Sequence, residues 1–317
     1  MSFKLEKLKN LSFHSDWIAT ILLLDSGDLI SGSFNGEIII YKKKTFSIKL
    51  KVKLEEYSIR YLIKLKEKDH ILICSLTNIL ITHLKNDNKD LTIINIIKTM
   101  NGFVRNAISL KNKNIICCIN GTIQIFQKLT IKKKEIYQNM ININKDNSKI
   151  DSLLQVNNNE FISTSFYNIN IRFWDLINFK NTFTINNVMC CCYQNGIEQL
   201  NDDIIAIGNS CMNGSIFLIK ISTHKLIGKY KSENPFVSFS CIKKYSNDII
   251  ICGESINDKE FYIEGYKILY HNNEIFLKSL GIQKVEHNKI ISAIIINENK
   301  DIISSSYDQN IIIWKWK

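Results

Sequence analysis

The sequence predicts an all-β fold, a seven-bladed β-propeller built from four-stranded antiparallel blades. The length of 317 residues divides into seven units of about 45, close to the roughly 40–45 residues of a propeller blade. Isoleucine-rich segments, which favour half-buried strands, recur along a chain that is 45% apolar. Segments typical of the second strand of a blade begin near residues 29, 71, 115, 161, 204, 249 and 302.

The first unit has the order of strands and turns expected of a blade. An apolar strand at residues 17–24 is followed by the polar turn DSGD and then by the second strand, LISGSF. Asn35-Gly36 comes next, and such a pair between two strands indicates a tight hairpin because both residues tolerate positive φ. The third strand ends at Tyr41, and a fourth is predicted at residues 46–54.

Units two to six repeat this order with looser sequence matches. Unit three has a second hairpin pair, Asn120-Gly121, and unit four contains Trp174-Asp175, the only WD dipeptide in the chain. Unit six is the poorest match because its turn, SINDKEF, is longer. Its extra residues account for the wider spacing before unit seven.

The final unit, DIISSSYDQNIIIWKWK, carries the most specific pattern. Asp308 lies in the turn after a serine-rich strand, and Trp314 follows six residues later. This spacing resembles the WD40 repeat. The resemblance implies that four residues of this unit form a buried hydrogen-bonded group: His287, Ser305, Asp308 and Trp314.

Unit one is similar to the same repeat but departs from it at two positions. His14 and Ser33 are in place, whereas Asn35 stands where the family has Asp and Tyr41 stands where it has Trp. Asn keeps the turn preference but lacks the charge that strengthens a hydrogen bond. We expect both His14 and the histidine of unit seven to be structural rather than catalytic or metal-binding.

The sequence of unit seven stops at its third strand. Residues 2–11, with near alternation of apolar and polar residues, are predicted to supply the fourth strand and so to close the ring. The pairing would cover a strand edge that otherwise invites aggregation. The chain has one proline and no Gly/Ser-rich linker, so residues 1–317 are predicted to form a single domain.

Composition and cysteine placement favour a reducing compartment. The start of the chain, MSFKLEKLKN, lacks the apolar segment of a signal peptide, and no apolar run approaches the ~18 residues of a membrane span. The nine cysteines include no CxxC pair, which argues against zinc, and most lie in apolar strands. The prediction is a cytoplasmic or nuclear protein with no membrane partner.

No sequence pattern indicates catalysis or a bound cofactor. Nucleophile elbows, HExxH helices, P-loops and GxGxxG runs are absent. The triplet Cys190, Cys191 and Cys192 has no nearby His or Arg to lower a thiol pKa. We therefore expect no catalytic, cofactor-binding or metal-binding residues, and a propeller enzyme ranks third among the functional readings.

WD40 proteins usually bind partners on the top face, which is built from the loops entering the inner strands and from the turns between second and third strands. Both sets of positions are rich in apolar and aromatic residues here, and exposed aromatic patches mark interaction sites. The alternative is that these rings fold inward and fill the mouth of the channel. The predicted partner-binding residues are Trp17, Phe34, Phe103, Tyr167, Tyr193 and Tyr307.

These features predict a non-catalytic scaffold or adaptor that binds a protein or peptide, as a monomeric propeller within a larger complex. The alternative is an RNA- or ribonucleoprotein-associated propeller, because the net charge is +11. That alternative requires the lysine runs at residues 42–44 and 132–134 to cluster on one face. Arginine, the preferred reader of phosphate and guanine, occurs only at positions 60, 105 and 172.

Overall fold

In a computed structural model, the chain folds as a ring of seven four-stranded antiparallel sheets, a seven-bladed β-propeller. The predicted fold class is confirmed. The part of the chain that the structure describes contains no helix with the length and apolar character needed to cross a bilayer. The described residues are 3–85, 87–99, 103–119, 121–131, 134–143, 150–165, 169–188, 194–209, 214–234, 236–271 and 274–317.

The first strand of the chain belongs to the last blade, and blades one to three follow it from the inner strand outward. The N-terminal strand is β1 (Leu5–Leu11). Blade one comprises β2 (Ile18–Leu23), β3 (Leu29–Ser33), β4 (Glu37–Tyr41) and β5 (Ile48–Lys53). Blade two comprises β6 (Ile59–Lys64), β7 (His70–Ser75), β8 (Asn78–Lys85) and β9 (Asp90–Lys98). Blade three comprises β10 (Val104–Ser109), β11 (Ile115–Ile119), β12 (Thr122–Ile131) and β13 (Lys134–Ile143).

Blades four to seven complete the ring in the same inner-to-outer order. Blade four comprises β14 (Ile150–Gln155), β15 (Glu160–Ser165), β16 (Asn170–Asp175) and β17 (Asn181–Asn186). A single 3-10 turn, Gln194–Gly196, precedes blade five, which comprises β18 (Ile197–Asn201), β19 (Ile204–Gly208), β20 (Ser215–Lys220) and β21 (Lys225–Lys231). Blade six comprises β22 (Val237–Lys244), β23 (Ile249–Ile256), β24 (Glu260–His271) and β25 (Glu274–Lys284). Blade seven comprises β26 (Ile291–Ile296), β27 (Ile302–Ser306), β28 (Ile311–Trp316) and β1.

Alternate residues along a strand face the two neighbouring blades, and both faces are buried. In β4, Ile38 and Ile40 pack in the cluster shared with blade two, whereas Ile39 and Tyr41 pack in the cluster shared with blade seven. All the residues of this strand are buried. Such two-sided burial explains why the strands read as continuous isoleucine runs rather than as alternating polar and apolar residues.

The core consists of seven hydrophobic clusters, one between each pair of neighbouring blades. The cluster between blades five and six, for example, brings Ala206 and Leu218 against Phe239 and Ile250. Each blade shares its apolar faces with two neighbours, so no blade can bury them alone.

The inner strands carry a bulge close to where they begin. In blades one, two, three and seven, the pairing of the inner strand with the second strand shifts at the second residue of the inner strand. The bulged residues are Ala19, Arg60, Arg105 and Ser292. A bulge re-aims a side chain, and three of these residues, Ala19, Arg60 and Ser292, line one cavity.

The N-terminal strand closes the ring as predicted. β1 pairs antiparallel with β28, with Leu5 opposite Trp316. Phe3 extends the contact to blade six, because its backbone N–H donates to the Leu280 carbonyl at 3.0 Å. Its ring lies against Gly265, where an added Cβ would come within 2.8 Å of Phe3 Cδ2. The N-terminal segment therefore joins blade six to blade seven.

Deleting residues 2–11 should lower the thermal midpoint and cause aggregation. The deletion leaves the edge of β28 unpaired and opens the apolar cluster between blades six and seven. Leu8→Lys is the matched control, because Leu8 is 52% exposed and lies at the bulge in the β1–β28 pairing, where it has no opposite residue to lose. Scanning fluorimetry and light scattering measure both effects, and an unchanged melt with monomeric behaviour would reject the closure.

Candidate functional site

The top face is the end of the ring at which second strands end and inner strands begin. In blade one, the Phe34 N–H donates to the Trp17 carbonyl at 3.0 Å, and in blade seven the Tyr307 N–H donates to the Ile290 carbonyl at 3.1 Å. These bonds tie each turn to the start of the inner strand of the same blade. The two sets of positions predicted to form a partner surface are therefore adjacent in these blades.

Three of the predicted residues form one aromatic cluster across blades seven and one. The Trp17 ring centroid lies 5.2 Å from that of Tyr307 and 5.8 Å from that of Phe34, and the remaining pair is 5.6 Å apart. Trp17 and Tyr307 stack with 17° between their planes. Trp17 is 40% exposed, whereas the other two rings are half-buried. The cluster thus presents a stacked aromatic surface to solvent.

Of the other three predicted residues, the structure describes Phe103. Phe103 precedes β10 in blade three and is 55% exposed. Tyr167 and Tyr193 lie outside the described residues. Phe236, which was not among the predicted residues, precedes β22 in blade six and is 48% exposed. Exposed aromatic rings are therefore present at inner-strand entrances in three blades.

Two cations flank the aromatic cluster. Cζ of Arg60 lies 4.0 Å from the Phe34 ring centroid, and Nζ of Lys289 lies 5.0 Å from that of Trp17. Both separations are within the roughly 6 Å over which a cation is attracted to an aromatic face. Neither residue was predicted from the sequence, because a strand bulge brings Arg60 to the rings and the segment before β26 brings Lys289 to them. The scarcity of arginine is the signal that could have identified Arg60.

The cluster borders a cavity of about 50 Å³ whose lining contains no acidic residue; it is lined by Ala19, Phe34, Arg60, Tyr61, Asn195, Ser292 and Tyr307. The Nε atom of Arg60 is buried and has no hydrogen-bond partner among the described residues. Burial lowers the pKa of the Arg60 guanidinium; the hydroxyl of Tyr307 raises it, and the charge of Arg105 lowers it. The cavity can therefore accept an anionic or electron-rich group.

A second polar arrangement lies inside blade seven, where hydrogen bonds run from Trp314 to Asp308. The Trp314 indole N–H donates to Ser304 Oγ at 2.8 Å, and that oxygen lies 2.8 Å from His287 Nε2. His287 Nδ1 lies 2.9 Å from Asp308 Oδ2. With the Nδ1 proton directed at Asp308 and Nε2 accepting from the serine hydroxyl, every group has a partner.

Asp308 is held as a carboxylate by these bonds. Burial acts to raise its pKa, but hydrogen bonds from His287 and from the backbone N–H groups of Asn310 and Asn288 outweigh burial and lower it. The side chains of His287 and Asp308 are 0% and 2% exposed. A group enclosed to this degree stabilises the blade and is out of reach of a bound partner.

The serine of this group is Ser304, not Ser305 as predicted. Ser305 Oγ instead lies 2.9 Å from Ser292 Oγ. Because side chains alternate along a strand, a shift of one residue turns a hydroxyl toward the other neighbouring blade. Three consecutive serines conceal this alternation in the sequence.

Blade one has a similar group with a different acid. His14 Nε2 lies 2.6 Å from Ser31 Oγ, and His14 Nδ1 lies 3.3 Å from Glu37 Oε2. The predicted residues for these roles, Ser33 and Asn35, are therefore wrong. Ser31 is two residues earlier on the same face of β3, and Glu37 comes two residues after Asn35 with the charge that Asn35 lacks.

The surroundings of His14 and Glu37 in blade one lower the pKa of both side chains. Burial lowers the pKa of His14 to about 4. Burial acts to raise the pKa of Glu37, but hydrogen bonds from Ser15 and Lys51 outweigh it and lower the pKa to about 2. At neutral pH the pair is a neutral imidazole beside a carboxylate, as a structural hydrogen bond requires.

Among the described residues of blade four, the serine and tryptophan of the pattern are joined. The Trp174 indole N–H donates to Ser163 Oγ at 2.9 Å. Asp175, the second residue of the WD dipeptide, accepts hydrogen bonds from the backbone N–H groups of Ile177 and Asn178 at 2.7 and 2.8 Å. The dipeptide therefore combines a buried packing residue with a turn residue.

Blade six holds a buried acidic cluster. The Tyr266 hydroxyl lies 3.0 Å from Glu254 Oε1 and 2.7 Å from Glu264 Oε2, and the Ser279 hydroxyl donates to Glu264. Burial raises the pKa of Glu254 well above its ordinary value, and the neighbouring Glu264 raises it further. No ion pair among the described residues offsets this rise in the pKa of Glu254.

The cysteines of the described ranges are buried free thiols. Burial raises the pKa of Cys74 and Cys252, and it raises that of Cys241 to about 12. Thiolate chemistry is unfavourable at such sites. The triplet at residues 190–192 lies outside the described residues. Across the described ranges, no group of three or more His, Cys, Asp or Glu side chains could hold a metal ion.

No known protein-family profile matches the chain, and no curated protein matches it significantly.

Ser304→Ala should destabilise the protein by roughly 2–4 kcal/mol, because it leaves both the Trp314 indole N–H and a ring nitrogen of His287 unpaired in a buried site. Ser305→Ala is the matched control and removes one hydroxyl contact, at a cost of about 1 kcal/mol. Urea unfolding of both variants measures the difference. Equal losses would show that the group of Ser304 contributes no more than an ordinary hydroxyl pair.

Glu254→Gln should make stability less sensitive to alkaline pH. A raised folded-state pKa contributes stability that is complete below the unfolded value of about 4.5 and is lost as pH rises through the folded value, by up to about 1.4 kcal/mol per pH unit. The variant should therefore gain thermal midpoint over the natural protein from pH 5 to pH 9. Glu260→Gln, at the surface of the same blade, is the control. The prediction would be contradicted if the thermal midpoint of Glu254→Gln changed with pH in parallel with that of the natural protein.

Proposed function

We propose that this protein is a WD40-type propeller that acts as a non-catalytic scaffold and binds a protein or peptide on its top face. The hydrogen-bonded groups of blades seven and one support the WD40 assignment, because in each a histidine contacts both an acid and a serine that lies 17 residues later on the second strand. The observation that carries the functional proposal is the exposed aromatic cluster with its two flanking cations.

The composition of this cluster favours protein binding. Tryptophan, tyrosine and arginine are the residues that dominate binding energy at protein interfaces. Trp17, Tyr307 and Arg60 supply all three within a short distance at one point of the ring. The stacked rings give a rigid apolar surface, and rigid surfaces lose little conformational entropy on binding.

The positions of the strongly shifted titratable groups also favour a scaffold over an enzyme. His14 and Glu254 are buried within blades, and each is engaged with another protein side chain. The top-face cavity offers a guanidinium, hydroxyls and an amide, with no acid in its lining. Such a set binds anions and lacks a carboxylate for general acid–base work.

The RNA alternative receives less support from the distribution of lysines. Lys43 pairs with Glu298, and Lys49 with Asp28. The lysine run at residues 42–44 lies in the turn after β4, on the face opposite the aromatic cluster, and Lys132 and Lys133 lie outside the described residues. Lysine ion pairs with acids occur in six blades, one, two, three, five, six and seven. The lysine charges are paired with acids and spread around the ring. This distribution is more typical of a solvated surface than of an RNA-binding face.

The proposal extends to cellular context. Buried free thiols are typical of reducing compartments, which supports placement in the cytoplasm or nucleus. We propose that the propeller binds its partner through the top face and acts as a monomeric subunit within a larger complex. We propose no membrane partner and no bound cofactor.

Trp17→Ala combined with Tyr307→Ala should reduce capture of the natural partner at least tenfold in affinity purification with quantitative mass spectrometry. The stacked pair is the exposed centre of the surface, and loss of two hot-spot rings typically costs more than about 1.4 kcal/mol, a factor of ten. The thermal midpoint should change little.

Tyr270→Ala is the matched control, because Tyr270 is a 58% exposed aromatic residue near the end of β24, on the opposite face. Capture that survives the double substitution but is lost with Tyr270→Ala would place the partner on the other face. Loss of folding in each of the single variants would instead assign the rings to the core. Binding that weakens steeply with salt and is abolished by ribonuclease would favour the RNA alternative.

A further inference from the structure

Arginine is placed unusually in this chain. Of 41 basic residues, only three are arginine, and two of these, Arg60 and Arg105, are the second residues of inner strands in neighbouring blades. Both positions carry the strand bulge. Elsewhere the chain uses lysine almost without exception. Arginine differs from lysine in being planar, more weakly hydrated, and able to hold a carboxylate with two parallel hydrogen bonds.

The charge of Arg60 is incompletely compensated. Its guanidinium lies 4.0 Å from the Phe34 ring centroid, but it forms no ion pair with a described carboxylate, and its buried Nε atom has no described partner. Burial lowers the pKa of this guanidinium, which shows that the surroundings disfavour its charge. A half-buried cation without an acceptor is costly unless a partner supplies one.

The space beside Arg60 fits a small acidic group. The cavity measures about 50 Å³ and is bordered by the rings of Phe34 and Tyr307 on the side of the exposed aromatic cluster. A single water needs roughly 10–15 Å³ of such space, so a carboxylate can enter but a nucleotide base cannot. The lining residues Asn195 and Ser292 already bond within the protein, to the Ser292 carbonyl and to Ser305. Arg60 is thus the group in the cavity that still lacks an acceptor.

We infer that the top face binds an acidic segment of a partner protein, in which a Glu or Asp carboxylate enters the cavity and pairs with Arg60 while an adjacent apolar side chain packs on Trp17 and Tyr307. This inference rests on the proposed function and specifies the chemistry of the partner. Lys289, above the Trp17 ring, adds a second positive charge beside the same surface. The net charge of +11 would speed encounter with acidic partners.

The test uses two pools of fluorescent eight-residue peptides with blocked ends and the full-length protein. Both pools have a central Leu, Phe or Tyr and a mixture of Ala, Gly and Ser at the outer positions. One pool has Glu on both sides of the central residue, and the other has Gln. Fluorescence anisotropy at physiological salt should give at least tenfold tighter binding of the Glu pool.

Arg60→Gln should lower the preference for the Glu pool over the Gln pool by about tenfold. The thermal midpoint should stay within a few degrees of that of the natural protein. Arg60→Lys should retain part of the preference, because the charge remains but the planar fork is lost. Arg172→Gln is the matched control, since it makes the same change on the third strand of blade four, outside the cavity lining. It should leave the preference intact.

The outcomes separate this inference from the broader proposal. Equal binding of both pools, lost in Trp17→Ala, would overturn the acidic preference and leave the top-face scaffold standing. Binding of neither pool would overturn the inference, and unchanged capture of the natural partner by the Trp17/Tyr307 double variant would overturn the scaffold as well. Arg60-dependent binding of single-stranded RNA without a Glu preference would assign the cation to nucleic acid.

Discussion

Shared burial between blades is the constraint on which this structure depends. Each strand presents alternate side chains to two neighbours, so half of the apolar surface of a blade is covered from one side and half from the other. A row of such blades would leave an apolar face exposed at each end, and closure into a ring removes both faces. The pairing of β1 with β28, two strands far apart in the sequence, completes this closure.

The polar groups inside the blades are a second and more variable layer. Blade seven joins His287, Ser304, Asp308 and Trp314, whereas blade one uses a glutamate from the third strand as its acid. Blade six instead has a cluster of two buried carboxyl groups and a tyrosine hydroxyl in its interior. Because packing between blades carries most of the stability, the polar group of any one blade can change as long as its own donors and acceptors remain paired. A chain can thereby keep the propeller while losing most of the residues by which a repeat is recognised.

The fold was predictable because its signals recur. The seven second strands begin within one residue of the positions expected from the sequence, at residues 29, 70, 115, 160, 204, 249 and 302. The repeat length and the turn residues of the hairpins set these positions. A strand boundary that is misplaced in one blade can be corrected from the spacing of the neighbouring blades. The closing role of the N-terminal segment followed from counting strands, which does not depend on atomic detail.

The details of the sites were less predictable, because they depend on which way single residues point. Ser304 and Ser305 are chemically identical, and only the pleat of β27 directs the first of them to His287. Glu37 takes the acidic role through its side-chain length, which a residue-by-residue match to Asp308 does not reveal. Arg60 reaches the aromatic cluster through a bulge that shifts the strand register locally. Such shifts have no period and leave little trace in the sequence.

The closure described above also affects the order in which parts of the molecule can fold. β1 and its partner β28 are separated by about 300 residues, so their pairing closes a long loop of chain and is expected to form more slowly than a local hairpin. Blades one to six each pair strands that are consecutive in the chain, so their hairpins can form locally before β1 meets β28 and closes the ring.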